Sequence, residues 1–120
     1  VTLVDTSVWI EHFQQGGLPK LGALVEAHEL LVHPAVIGEI GLGNLGARRK
    51  QILGALRSQQ VAPVLADDEA MELVEAHRLW GSGLGWIDVH LLASARVGKV
   101  KLWTLDKRLA AIAKTLGVAG

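Results

Sequence analysis

Four carboxylates in this chain have no obvious reason to be where they are. Asp5 is the only formal charge in VTLVDTSVWI (residues 1–10), Glu39 the only one between Pro34 and Ala47, and Asp88 the only one in WIDVHLLASA. Asp106 ends the largely apolar run VKLWTL. The remaining acids, among them Glu11, Glu26, Glu29 and the run Asp67, Asp68, Glu69, Glu72 and Glu75, fall where solvent is expected. An ionised carboxylate in apolar surroundings is costly unless it is paired or metal-bound, and no lysine or arginine lies beside the first three. Four such oxygen donors brought together, in a chain without cysteine, suit Mg²⁺ or Mn²⁺ better than Zn²⁺. A divalent cation also relieves the repulsion of clustered carboxylates. Singly, Asp5, Asp88 and Asp106 read equally well as helix N-caps, since each precedes a helical stretch. Glu39 falls mid-helix, where the alternative is a solvated surface glutamate.

The elements that must position these acids follow from periodicity. Residues 2–4 read as a buried strand, and Thr6 or Ser7 as the N-cap of a helix carrying Trp9, Ile10 and Phe13. A Gly-Gly-x-Pro turn leads to a helix at 21–28, then a short strand at 29–33 that Pro34 closes. A glycine-rich helix is expected over 34–45 and an amphipathic one over 47–59. Residues 60–65 (QVAPVL) read as an edge strand because of Pro63. Helices are expected at 67–80, with Met71, Leu73 and Val74 inward, and at 86–97, stopped by Gly98. A strand at 100–105 and a helix at 107–116 complete the chain. This alternation predicts an α/β fold, a parallel sheet with helices on both faces. Asp5 and Asp106 then stand at the carboxyl ends of two parallel strands, the edge at which open α/β sheets place their ligands.

With 120 residues and no internal repeat or linker, residues 1–120 form one domain. Half the residues are hydrophobic and a fifth charged, which excludes disorder. Twelve basic residues balance twelve acidic ones, so any nucleic-acid surface must be local. The absence of cysteine fits a reducing compartment. No apolar run spans a bilayer and the opening residues lack the pattern of a signal peptide, so a cytoplasmic protein is expected. GSGLG (81–85) lacks the Gly-Lys-Ser/Thr continuation of a phosphate loop and reads as a connection.

LVDTSVWIE, the lone Glu39 in IGEIGLG, WIDVHLLASA and LWTLDKRL together carry a resemblance that spans nearly the whole chain. They are similar to PIN domains, and among these to the VapC-type toxins of prokaryotic type II toxin–antitoxin (VapBC) systems. The resemblance implies a PIN-like fold, a short parallel sheet in a three-layer α/β/α arrangement. It places the acidic quartet on Asp5, Glu39, Asp88 and Asp106, all four both metal-binding and catalytic, and the small hydroxyl before the last acid on Thr104. The implied activity is Mg²⁺- or Mn²⁺-dependent endoribonuclease cleavage of structured RNA (tRNA, rRNA or mRNA) by metal-activated water. Asp5 and Asp88 are the expected direct ligands, and Asp106 the acid most readily assigned a supporting role. Thr6 and Ser7 are candidates for a phosphate contact at a helix N-terminus or for capping. Candidate RNA contacts are Arg48, Arg49, Lys50, Lys107 and Arg108, each of which also reads as a solvated helix face. The four tryptophans read as core or interface, and the five histidines show no ligand spacing. The resemblance also implies a VapB-type antitoxin whose C-terminal segment fills an apolar groove, expected from Trp9, Ile10, Phe13, Leu21, Leu24 and Val25. Homodimerisation is implied as well.

Two other strand-end aspartate chemistries fail on the residues. A haloacid-dehalogenase-type phosphatase needs a second acid two residues on, where Ser7 stands. A receiver-type phosphoacceptor needs a central aspartate that neither ELLVH nor QVAPVL supplies. The remaining rival is a non-catalytic PIN-like module that binds RNA or protein.

Overall fold

The computed structural model describes residues 1–120. Its middle layer is a wholly parallel sheet in the order β3-β2-β1-β4, from β1 (Thr2–Val4), β2 (Leu30–Val32), β3 (Gln60–Val61) and β4 (Lys101–Trp103). All three residues of β1 are buried, as suits a central parallel strand covered on both faces. Seven helices connect and cover the strands: α1 (Thr6–Gln14), α2 (Pro19–Glu26), α3 (Pro34–Gly41), α4 (Arg49–Arg57), α5 (Asp67–His77), α6 (Trp86–Gly98) and α7 (Lys107–Thr115). The three-layer α/β/α architecture and the element order are those expected from the sequence. The core joins Leu3 and Val4 of β1 to Val8 of α1, Leu91 and Leu92 of α6 and Leu102 of β4, all essentially inaccessible.

Several boundaries differ from the expectation, for identifiable reasons. α1 begins at Thr6 with Asp5 in the N-cap position, so neither Thr6 nor Ser7 is the cap. α3 stops at Gly41 rather than 45, and the chain re-enters through a 3₁₀ turn at Gly46–Arg48. The apolar Leu42 and Leu45 extended the helical pattern beyond the helix itself, and Leu42 is almost fully exposed. β3 keeps only two residues, at the sheet edge that Pro63 foretold. α5 ends at His77, and Met71 lies on its exposed side rather than inward. Lys99, not Gly98, takes the left-handed conformation that terminates α6, with φ of 54°. No helix is long and apolar enough to cross a membrane.

Candidate active site

Asp5 follows the last residue of β1, and its N–H still donates to the Trp103 carbonyl of β4 at 2.9 Å. The ladder between the two central strands therefore runs one residue further and holds the Asp5 backbone. Its carbonyl accepts from Val8 N–H at the start of α1, but its carboxylate makes no capping bond. That side chain is instead buried, at 6 % exposure, and Oδ2 accepts hydroxyl protons from Ser7 and from Thr104, both at 2.7 Å. Each hydroxyl in turn accepts a backbone N–H, Ser7 Oγ from Leu105 (3.0 Å) and Thr104 Oγ1 from Asp106 (3.0 Å). A hydroxyl has one proton to give, so the two incoming N–H groups leave Asp5 as the natural acceptor of both. No cation pairs with this carboxylate. The capping reading of Asp5 is thereby excluded.

Asp106 does cap. Its Oδ1 accepts from the N–H groups of Arg108 and Leu109 at 2.9 and 3.0 Å, and α7 starts behind it. Asp88 sits inside the first turn of α6 rather than at its cap, and its Oδ2 accepts from Gly85 N–H at 3.0 Å. Burial raises the Asp88 pKa above the usual carboxylate range; the Gly85 hydrogen bond opposes this, and the charges of Asp5 and Asp106 add to it. Asp5, Asp88 and Asp106 thus lie within electrostatic reach of one another. Glu39 reaches the site from α3 and is tied to α1, with Thr6 Oγ1 donating to Oε1 at 2.6 Å.

The four carboxylates share one property. Each has one oxygen held by the protein, through Ser7 and Thr104, Thr6, Gly85, or the start of α7, and the other free of protein hydrogen bonds. No three acidic or histidine side chains are placed to share a single ion directly.

Gly85, whose N–H holds Asp88, is a position that residue-by-residue reading passed over. Its signal is a Gly-x-x-Asp spacing, the geometry in which a first-turn acid reaches back to the N–H preceding the helix. Among the basic candidates, Arg49 donates to the Gly41 carbonyl at 2.7 Å, and Arg108 donates to the Gly83 carbonyl at 3.1 Å. Arg108 lies so close over Gly83 that any Cβ there would overlap its guanidinium. All five basic candidates are exposed, but Arg49 and Arg108 are tethered to backbone carbonyls, whereas Arg48, Lys50 and Lys107 are not. A groove of about 370 Å³ adjoins Glu39, lined by Ile10 and Phe13 of α1 with Ile40, Leu45, Arg48 and Ile52. Trp9, Leu21, Leu24 and Val25, expected in such a groove, pack into or against the core instead. Of the tryptophans expected in the core or at an interface, Trp9 is buried, while Trp80 and Trp86 are substantially exposed.

Residues 2–115 match the PIN domain family. This chain belongs to the PIN domain family. Within it the chain is of the VapC type, 46% identical over 118 residues to Ribonuclease VapC32 of Mycobacterium tuberculosis, from both strain CDC 1551 / Oshkosh and strain H37Rv. That alignment covers 98% of this chain and 94% of each relative. The crystal structure of PAE2754 from Pyrobaculum aerophilum is similar in fold, with a TM-score of 0.67 at 21% identity, covering 96% of this chain and 90% of that one. In this PIN domain the strand-end and helix-borne acids therefore sit on a scaffold recognised independently by sequence and by shape.

Proposed function

We propose that this VapC-type PIN domain is the toxin of a type II toxin–antitoxin pair and cuts phosphodiester bonds in structured RNA with the help of Mg²⁺ or Mn²⁺. The carrying observation is Asp5, a buried carboxylate with no cationic partner, held by two hydroxyls and surrounded by further acids. The donor set fits a hard divalent ion, being all oxygen with one free oxygen on each carboxylate. When bound, such an ion acidifies water and offsets charge developing on the phosphate.

The chain's own groups have separable tasks. Asp5 and Asp88 hold the ion, and Glu39 and Asp106 orient water around it or complete its coordination. Ser7 and Thr104 fix the Asp5 carboxylate in one rotamer, and Thr6 does the same for Glu39. With those hydroxyls committed, what Thr6 and Ser7 still offer a scissile phosphate is the unpaired N–H groups of the first turn of α1. Arg48, Lys50 and Lys107 supply exposed positive charge for the RNA backbone. Arg49 and Arg108 contribute charge from fixed positions.

The groove between α1 and the α3–α4 pair suits the C-terminal segment of a VapB-type antitoxin, whose apolar side chains would cover Ile10, Phe13 and Ile40 and whose arginine would reach Glu39. A cytoplasmic homodimer is part of the same reading. The test uses the purified chain without antitoxin. RNA should be cut with Mn²⁺ or Mg²⁺, cutting should stop on chelation, and Asp5→Asn should remove it. Metal-dependent RNA binding without cleavage would support the non-catalytic module instead.

A further inference from the structure

Two buried ring nitrogens, one on the cap of the helix that bears Glu39 and one on the helix that bears Asp88, have no partner in the protein: Nε2 of His33 and Nδ1 of His90. The rings are neighbours, with centroids 6.1 Å apart. His33 is only 4 % exposed and caps α3, its Nδ1 accepting the Ala35 N–H at 3.0 Å. A neutral imidazole that accepts at Nδ1 carries its proton at Nε2, so the orphaned nitrogen of His33 is a donor. Burial, and secondarily the nearness of His90, lowers the His33 pKa and keeps the ring neutral. On α6, Nε2 of His90 lies 2.9 Å from Asp67 Oδ1. An ionised carboxylate only accepts, so this nitrogen carries a proton, and in the neutral ring Nδ1 is then an acceptor. The Trp86 indole N–H donates to the same Asp67 oxygen at 3.3 Å, and its ring stands edge-on to His90 at 5.0 Å.

A buried donor and a buried acceptor therefore occupy adjacent rings. With a ring nitrogen about 1.2 Å from its centroid and hydrogen bonds of about 2.9 Å, direct contact would place the centroids about 5.3 Å apart, and one water bridging at a near-tetrahedral angle about 6.4 Å. The observed 6.1 Å exceeds direct contact and lies nearer the bridged value, for nitrogens that face each other. A metal ion does not fit, because ligation would need a lone pair on His33 Nε2 while Nδ1 already uses its own on Ala35.

We propose that His33 and His90, joined through one buried water, form a strut that ties the helix bearing Glu39 to the helix bearing Asp88, and that both are positioning residues for the acid cluster. The strut runs from the Ala35 N–H through His33, the water and His90 to Asp67, and so links the starts of α3, α6 and α5. Leaving both nitrogens unpaired would cost the burial penalty of two polar groups, which a water with these two partners removes. Its consequence for metal binding rests on the proposed metal role of Glu39 and Asp88; the hydrogen-bonding pattern does not.

Two readouts on the full chain separate those parts. Long-range ¹H–¹⁵N spectra should show His33 as the Nε2-protonated neutral tautomer, with that proton shielded from exchange and in contact with a long-lived water. An Nδ1-protonated His33, or a rapidly exchanging Nε2 proton, would overturn the strut whether or not the protein binds metal. Mn²⁺ binding, followed by the loss of the free-ion EPR signal, tests positioning. His33→Asn retains an acceptor for Ala35 N–H but falls short of His90, so it should fold with its cap intact and bind Mn²⁺ about tenfold more weakly. His90→Leu should match that loss, and His90→Gln, which can still accept from the water, should recover most of it. Unchanged Mn²⁺ affinity in both His33→Asn and His90→Leu would refute the positioning role.

Discussion

Asp5 at the end of β1 is buried and gripped by two hydroxyls, one from its own helix and one from 99 residues away, whereas Glu39 on α3 is exposed and held by a single hydroxyl. Asp106 also takes two bonds, but it is exposed and both come from backbone N–H groups of α7, and Asp88 resembles Glu39 in being held by one. Asp5 inherits its position from the ladder between β1 and β4, which the Asp5–Trp103 bond extends to the site itself, whereas Asp106 stands three residues beyond β4 as the cap of α7. The helix-borne acids depend on how α3 and α6 pack. This chain thus presents one acid that is set by the sheet and three that are set by helices, and the two kinds should respond differently to perturbation.

The largest effects should come from neutralising one acid of each kind. Asp5→Asn and Asp88→Asn should each lower RNA cleavage by on the order of 100- to 1000-fold, the scale of several kcal/mol of lost charge stabilisation. Asp106 separates two roles. Asp106→Asn keeps a capping side chain, so a fall in cleavage without a change in melting temperature would reveal its charge at work, while Asp106→Ala should also cost about 1 kcal/mol of stability.

The hydroxyls probe the comparison more finely. Thr104→Val removes one of the two bonds on a buried carboxylate and should reduce Mn²⁺ affinity or cleavage by about 10- to 100-fold. Thr6→Val removes a bond to an exposed glutamate and should cost only a few-fold. Equal losses in the two variants would erase the distinction between sheet-set and helix-set acids.

A smaller effect is expected in stability against pH. His33 and His12 both accept a backbone N–H at Nδ1, from Ala35 and Leu18, and both have pKa values lowered from 6.5, chiefly by burial, with His90 and Arg48 respectively adding to it. Lowered folded values mean that the unfolded chain takes up protons first. Stability should therefore hold above about pH 6.5 and decline as the pH falls from there through the lower folded values, a decline that His33→Asn should reduce in urea titrations. The smallest expected effect is that of Lys107→Ala, which should lessen the salt dependence of RNA binding by about one unit of slope with little change in cleavage at saturating RNA.

The legible and illegible parts of this molecule divide along physical lines. β1 and its terminal Asp5 could be read from a short apolar run broken by an acid, and the parallel order followed from strand–helix alternation. Asp106 as a cap was equally local. What lay beyond local reading was any relation across the chain: the Ser7–Asp5–Thr104 grouping depends on β1 and β4 being neighbours, and only the family resemblance pointed to Thr104. Hydrophobicity misled where apolar residues stay exposed, at Leu42, which extended the helical pattern, and at Met71, which was expected inward. The groove came from α1 as expected, but its other wall is α3 and α4, because Leu21 of α2 is drawn wholly into the core. His33 and His90 show no local spacing that links them; their approach exists only where the residue after β2 meets α6.

The central claim is that the free carboxylate oxygens of Asp5 and Asp88 hold a divalent ion, and crystals soaked in MnCl₂ test it most directly. Anomalous diffraction should place one manganese against both carboxylates, with the peak lost in Asp5→Asn crystals treated alike. A chain that cleaves RNA while its manganese lies away from Asp5, or binds unaltered in the Asp5→Asn protein, would contradict the account.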